Sequence, residues 1–131
     1  MKAKAQAVRV LYVEDHEDIR RVFETFMAVA VDIETEVFLA SDGQEGLEMA
    51  SREKPDIIFM DSKMPVMDGV EATRHLKANQ SLVDIPVIMV SAHLDRVERE
   101  EEAQEAGVAF FLNKPFTPEE LEGALRRALG L

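Results

Sequence analysis

The stretch 57–65, with the sequence IIFMDSKMP, decides the fold. Four large apolar residues run directly into Asp61, and Pro55 and Pro65 flank the run. So short a run favours a strand over a helix, and a strand without polar alternation is typical of a parallel sheet covered on both faces. Asp61 then lies at the carboxyl end of that strand, the edge where ligands bind in open parallel sheets. This stretch alone leaves three possible roles for Asp61: a nucleophile, a metal ligand or a helix cap.

Length and composition limit what the protein can be. The chain has 131 residues, 47% of them hydrophobic, which predicts one domain with a substantial core. We expect residues 1–7 to be a disordered lead-in and 8–131 to be the domain. The absence of an apolar run near about 18 residues argues against a membrane span. Cysteine is absent, which excludes thiolate chemistry and is compatible with a cytoplasmic location. The net charge of −11 argues against direct binding of nucleic acid.

Strand and helix patterns alternate five times along the chain. The predicted strands are β1 (8–13), β2 (36–40), β3 (57–60), β4 (85–90) and β5 (108–112). The predicted helices are α1 from residue 16, α2 (43–53), α3 from residue 69, α4 (94–106) and α5 from residue 117. Alternation of this kind indicates a parallel sheet with helices on both faces, joined by right-handed crossovers.

The helices carry recognisable periodicity and start signals. In α1 the apolar residues that share one face are Ile19, Val22, Phe23, Phe26, Met27 and Ala30. Asp68 with Glu71 has the spacing of a capping box, and Thr117 with Pro118 and Glu120 is a complete helix start.

Polar side chains follow four of the five predicted strands. They are Glu14 and Asp15 after β1, Asp61 after β3, Ser91 after β4 and Lys114 after β5. Because the carboxyl ends of parallel strands share one edge, we expect these groups to converge. Crowded acids raise at least one carboxyl pKa unless a cation is bound, and oxygen ligands of this kind suit Mg²⁺.

A lysine and a serine beside these acids add the groups that a phosphoryl group needs. Lys114 can neutralise an acid or hold a phosphoryl oxygen, and Ser91 offers a hydroxyl donor. Such an arrangement stabilises transfer of a phosphoryl group to a carboxylate. Each residue alone is more often a helix cap, an exposed lysine or a turn residue. Their occurrence at successive strand ends favours the functional interpretation.

The set resembles the receiver domain of the response regulators of two-component signalling. The segments that carry the resemblance are 13–15 (VED), 61–69 (DSKMPVMDG), 90–92 (VSA) and 113–116 (NKPF), within a similarity over 8–130. The resemblance implies a flavodoxin-like, doubly wound sheet of five parallel strands in the order 2-1-3-4-5, with five helices. It also implies that Asp61 accepts a phosphoryl group from a histidine kinase or a histidine phosphotransfer protein.

Family positions imply the metal ligands. By the resemblance, Asp15 and Asp61 ligate Mg²⁺ (or Mn²⁺) directly, together with the backbone carbonyl of Lys63. Glu14 reaches the metal through a water molecule.

Other positions imply how a phosphoryl group is held and sensed. Ser91 and Lys114 would contact phosphoryl oxygens, and the bond from Lys114 to Pro115 is typically cis in the family. Ser91 and Phe111 would form the switch that changes the α4-β5-α5 surface for a downstream protein. The alternative for Phe111 is a fixed core residue. Unlike tyrosine, it has no hydroxyl group for a partner.

Two variable positions, Lys63 and His93, flank the acceptor and would tune how long the phosphoryl group lasts. Ala109 and Phe110 stand where the subclass that dimerises through α4-β5-α5 and carries a winged helix usually has acids, which argues against that subclass. We expect a monomer or weak dimer. Whether it is a stand-alone regulator or a receiver from a hybrid kinase or longer regulator stays open.

Two other functions are alternatives to the receiver interpretation, and the residues argue against both. An aspartyl-phosphate phosphatase of the haloacid-dehalogenase type normally has a second Asp two residues after the nucleophile, and here that residue is Lys63. A degenerate receiver that serves only as a docking scaffold would not need the complete set of acids, serine and lysine. We therefore expect a regulatory domain that catalyses only its own phosphorylation and dephosphorylation.

Overall fold

The structure is a computed structural model that describes residues 7–131. Within that range the strands are β1 (Val8–Val13), β2 (Thr35–Ala40), β3 (Ile57–Asp61), β4 (Val87–Ser91) and β5 (Phe110–Asn113). The helices are α1 (Glu17–Val29), α2 (Gly43–Glu53), α3 (Gly69–Lys77), α4 (His93–Ala106) and α5 (Pro118–Leu129). The lead-in predicted for 1–7 lies outside the described residues, apart from Ala7.

The strands form one parallel sheet in the order β2-β1-β3-β4-β5, which confirms the predicted flavodoxin-like topology. Met60 pairs with Val13, Asp61 pairs with Val90, and Ser91 pairs with Asn113. This register aligns the carboxyl ends of β1, β3, β4 and β5 at one edge of the sheet, with β3 in the centre.

The central strands β3 and β4 are apolar up to their last residue because each of their faces is covered by helices. Tyr12 and Phe59 pack on one face in a cluster that includes Phe23 of α1 and Leu121 of α5. On the other face, Leu11, Val13, Ile58 and Met60 pack with Ala50, Ala72 and Leu76 of α2 and α3. Burial on two faces explains why β3 shows no alternation of polar and apolar residues.

Two predicted strand starts were wrong by two residues, and backbone hydrogen bonds explain both. The amide of Ile85 donates to the Leu82 carbonyl at 3.1 Å, so Ile85 belongs to the preceding turn. Val108 donates to the Ala103 carbonyl at 3.1 Å and closes the end of α4 after the left-handed Gly107. Both strands therefore begin two residues later than predicted.

The buried face of α1 is narrower than its apolar pattern. Phe23 and Met27 are buried, but Val22 is 45% exposed and Ala30 follows the end of the helix. Of the two predicted helix starts, the Thr117–Glu120 capping box is complete. At α3 the Glu71 amide donates to Asp68 at 2.9 Å, but the reciprocal bond from the Asp68 amide to the Glu71 side chain is not found within residues 7–131.

Gly69 lets α3 begin directly against the strand that carries Asp61. Its amide donates to the Ser62 carbonyl at 3.0 Å. A Cβ atom at this position would collide with the backbone carbonyl of Asp61. The glycine of the MDG segment therefore permits close packing beside the predicted site.

Candidate functional site

The predicted groups converge at the carboxyl edge of the sheet. The Lys114 ammonium lies 2.7 Å from Asp61 Oδ1 and 2.8 Å from Glu14 Oε1. Asp61 and Ser91 are the last residues of β3 and β4, and both are buried. The Lys114 amide donates to the Ser91 carbonyl at 3.0 Å, which extends the sheet by one residue and holds the lysine at the edge.

Burial and charge determine how the site titrates. Burial, assisted by the neighbouring Glu14 carboxylate and opposed by the hydrogen bond from Lys114, raises the pKa of Asp61 to about 7. Burial alone would lower the pKa of Lys114, but its contacts with Asp61 and Glu14 outweigh burial and raise it. The site is therefore a buried carboxylate pair held together by one cation.

Several buried oxygens at this edge lack a hydrogen-bond partner among the described residues. They are Glu14 Oε2, Asp15 Oδ1 and Ser91 Oγ. The ligand atoms of Glu14, Asp15 and His16 lie within 4.8 Å of one another. Buried polar atoms normally have partners. His16 Nδ1 lies 3.3 Å from Asp15 Oδ1 and 3.5 Å from Glu14 Oε2 without a hydrogen bond to either. These carboxylate oxygens fit a hard cation such as Mg²⁺, and the unpaired Ser91 hydroxyl fits an added acceptor. Asp61 is not part of this group of three, and its Oδ1 accepts a hydrogen bond from Lys114.

A cavity of about 480 Å³ opens at this edge. Asp15, Asp61, Lys63 and Lys114 line it, but His93 is not among its lining residues in the described part of the chain. A cavity of about 500 Å³ between α1 and β2 contains none of these groups. The titratable side chains, rather than cavity size, identify the site.

The predicted switch residues lie on neighbouring strands. The side chain of Ser91 is buried, while Phe111 is partly buried and packs against a cluster that includes Val70 and Met89. The Arg96 guanidinium lies 4.9 Å from the centre of the Phe111 ring. Leu94 and Val97 of α4 are 76% and 65% exposed. The bond between Lys114 and Pro115 is cis, as the resemblance implied.

Sequence reasoning missed two residues of the cavity wall. The Ser62 hydroxyl donates a hydrogen bond to Asp95 Oδ2, and both residues line the cavity beside Asp61. Ser62 directly follows the predicted acceptor, whereas Asp95 lies in the first turn of α4 among many other acids. No sequence pattern pairs residues that lie 33 positions apart.

Comparison with known proteins places this architecture in a family. The sequence model of the response regulator receiver domain matches residues 10–126. The chain belongs to the response regulator receiver family. This match confirms the resemblance carried by the sequence motifs and gives the domain a phospho-accepting signalling role rather than that of a conventional enzyme.

Several relatives of this receiver domain are known. It is 34% identical to the "Probable transcriptional regulator ycf27" of Porphyridium aerugineum over 95% of this chain and 49% of that protein. It is 32% identical to Protein PilG of Pseudomonas aeruginosa over 96% of this chain and 90% of that protein. The chain spans about half the length of the first curated relatives it matches.

Solved structures show the same fold. Chemotaxis protein CheY4 of Vibrio cholerae superposes with a TM-score of 0.83 at 31% identity, covering 94% of this chain and 99% of that one. The receiver domain of sensor histidine kinase PA1611 from Pseudomonas aeruginosa gives a TM-score of 0.84 at 30% identity, covering 96% and 100%. That structure is described with a magnesium ion coordinated in its active-site cleft. In residues 7–131 of this receiver domain, no helix is long and apolar enough to cross a membrane.

The raised pKa of Asp61 predicts a pH-dependent stability in magnesium-free protein. The folded state binds a proton on Asp61 more tightly than the unfolded state does, and this tighter binding stabilises the fold. The stabilisation is complete below the unfolded pKa of about 4 and is lost as the pH rises through about 7. We expect the free energy of unfolding of Asp61→Asn, measured with urea in EDTA, to rise relative to that of wild type as the pH increases. The relative rise between pH 5 and pH 8 should be on the order of 2 kcal/mol. All other titratable groups are the same in both proteins, so parallel stability profiles would contradict the cost of burying the Asp61 charge.

Proposed function

We propose that Asp61 is the residue that receives the phosphoryl group in this receiver domain, from a histidine kinase or a histidine phosphotransfer protein. The observation that carries the proposal is the single ammonium of Lys114 between the buried carboxylates of Asp61 and Glu14. The aspartate is thus held at the cavity beside a cation that can follow the incoming charge. Ser91 supplies an unpaired buried hydroxyl at the same edge.

Mg²⁺, or Mn²⁺, completes the site in this proposal. Asp15 and Asp61 would bind it directly with the backbone carbonyl of Lys63, and Glu14 would bind through a water molecule. The unpaired oxygens of Glu14 and Asp15 support this assignment. When bound, the cation offsets the negative charge of the carboxylates and of the transferring phosphoryl group.

The chain's own residues then carry the transfer. The ionised Asp61 carboxylate attacks phosphorus, a P–O bond forms, and the bond from phosphorus to the donor imidazole nitrogen breaks with its electron pair returning to the ring. Lys114 exchanges an Asp61 oxygen for a phosphoryl oxygen, and the Ser91 hydroxyl donates to a second one. Water later cleaves the acyl phosphate. Lys63, which lines the cavity, and His93, the first residue of α4, are the proposed modulators of that rate.

Small-molecule phosphodonors test the acceptor directly. Incubation with phosphoramidate and Mg²⁺ should add one phosphoryl group to Asp61, detected by intact mass and peptide mapping. Asp61→Asn should abolish the modification because the amide is not a nucleophile. Asp84→Asn, an exposed residue before β4, removes the same charge away from the cavity and should label as wild type does. Full labelling of Asp61→Asn would show that another residue is the acceptor.

Output is proposed to run from Ser91 to Phe111. Phosphorylation adds negative charge and strong acceptor oxygens at Asp61. Ser91 satisfies one of these oxygens by moving toward it with Ala92, which opens space between β4 and α4. Phe111, now partly buried under Arg96, turns into that space. The α4-β5-α5 surface then changes shape for a downstream protein.

The context of this switch is part of the proposal. The receiver would act in the cytoplasm as a monomer or weak dimer and would not contact nucleic acid directly. It would serve either as a stand-alone regulator or within a hybrid kinase or longer regulator. The exposed Leu94 and Val97 would form the rim of the surface that the partner reads.

The Ser91→Ala variant tests the switch. It should still be phosphorylated on Asp61, because the nucleophile, the acids and Lys114 remain, but it should lose the coupling to Phe111. NMR shifts of the Phe111 ring and the α4 amides, recorded with and without beryllofluoride and Mg²⁺, should change in wild type and stay near the free values in the variant. Ser51→Ala, an exposed serine of α2, is the matched control. Equal shift changes in Ser91→Ala and wild type would exclude Ser91 as the link.

A further inference from the structure

The amino-terminal half of α4 has little apolar anchoring. Leu94 and Val97 are mostly exposed, and the buried residues of the helix, Ala103 and Ala106, lie in its last turns. Ala92, at the N-cap, has no side chain that could cap the helix, and no side-chain cap is found for it within residues 7–131. Something other than core packing must therefore fix this end of the helix over the phosphoryl site.

Besides the contact of Arg96 with the Phe111 ring, two polar contacts tie this end to the loop that follows Asp61. Ser62 donates its hydroxyl to Asp95 Oδ2, and Arg99 Nη2 donates to Asp68 Oδ2 at 3.3 Å. Asp95 and Arg99 are four residues apart, so they project from the same face of α4. Their partners lie on either side of the loop that follows Asp61. The start of α4 is thus tied to the acceptor loop by hydrogen bonds.

Ser62 is the fixed side of the first contact. Its amide donates to the Val90 carbonyl at 2.9 Å, and its carbonyl accepts from the Gly69 amide at 3.0 Å. Its side chain is buried, and the residue directly follows Asp61. Asp95, by contrast, lies in the first turn of α4, which is joined to Ser91 through Ala92 alone.

We propose that Ser62 and Asp95 are positioning residues of the phosphoryl site, and that their hydrogen bond holds α4 in the unphosphorylated arrangement. The inference rests on the proposed function of Asp61 and Ser91. When Ser91 moves toward a phosphoryl oxygen, Ala92 and Asp95 move with it while Ser62 stays with the sheet, so the hydrogen bond is stretched. The Asp95 carboxylate also lines the cavity in which the new negative charge forms. Both effects oppose the phosphorylated state.

Titration with beryllofluoride in the presence of Mg²⁺, followed by the NMR shifts of the α4 amides, tests this proposal. The midpoint concentration of beryllofluoride reports how strongly the free arrangement of α4 is favoured. Ser62→Ala and Asp95→Ala should each lower the midpoint concentration by roughly three- to tenfold, because each removes one charge-assisted hydrogen bond from the unphosphorylated state only. The double variant should show no more than the larger single effect, since either change breaks the same contact. Asp95→Asn keeps an acceptor oxygen and should fall between wild type and Asp95→Ala.

A control variant distinguishes the loss of the hydrogen bond between Ser62 and Asp95 from the loss of a negative charge on α4. Glu98→Ala removes an exposed acid from the same helix and should bind beryllofluoride as wild type does. Midpoints in Ser62→Ala and Asp95→Ala that equal or exceed the wild-type value would overturn the proposal, as would additive effects in the double variant. An Asp95→Asn midpoint equal to that of Asp95→Ala would also overturn it, since the hydrogen bond would then have no role. If wild type itself does not respond to beryllofluoride, the proposed function of Asp61 fails instead.

Discussion

One lysine ammonium between two buried carboxylates is the interaction on which the rest of the site depends. Glu14 and Asp61 are almost fully removed from solvent, so their charges would repel strongly without Lys114. The sheet order sets the geometry of this contact, because β4 separates β5 from β3. The long, flexible stem of Lys114 crosses that distance to reach both acids. In the proposed transfer, the same reach would let the ammonium follow charge that is added at Asp61.

The two ends of α4 suit a signalling domain. Its last turns are anchored by buried alanines and closed by the left-handed Gly107, whereas its first turns depend on the polar contacts made by Asp95 and Arg99. A helix end held by hydrogen bonds rather than by packed apolar side chains needs only a small free-energy change to shift. In the proposed switch, a single phosphoryl group on Asp61 supplies that change.

The sequence predicted the fold and the convergence of Glu14, Asp61 and Lys114 because both depend on local patterns. An apolar run between prolines defines β3, and polar residues after successive strands predict the cluster that Lys114 joins. The predicted starts of β4 and β5 were wrong because the backbone amides of Ile85 and Val108 donate hydrogen bonds outside the sheet. Ile85 donates to the preceding turn, and Val108 donates to the end of α4. The contact between Ser62 and Asp95 was missed because tertiary packing alone brings these residues together.

A crystal structure of the protein with Mg²⁺ and beryllofluoride would test most directly whether Lys114 follows charge added at Asp61. We expect beryllium on a carboxylate oxygen of Asp61, one fluorine within hydrogen-bond distance of Lys114 Nζ and another within that distance of Ser91 Oγ. Magnesium would be bound by Asp15 and Asp61. Beryllofluoride on another residue, or Lys114 still holding both Glu14 and Asp61 without touching fluorine, would contradict the proposed role of this lysine.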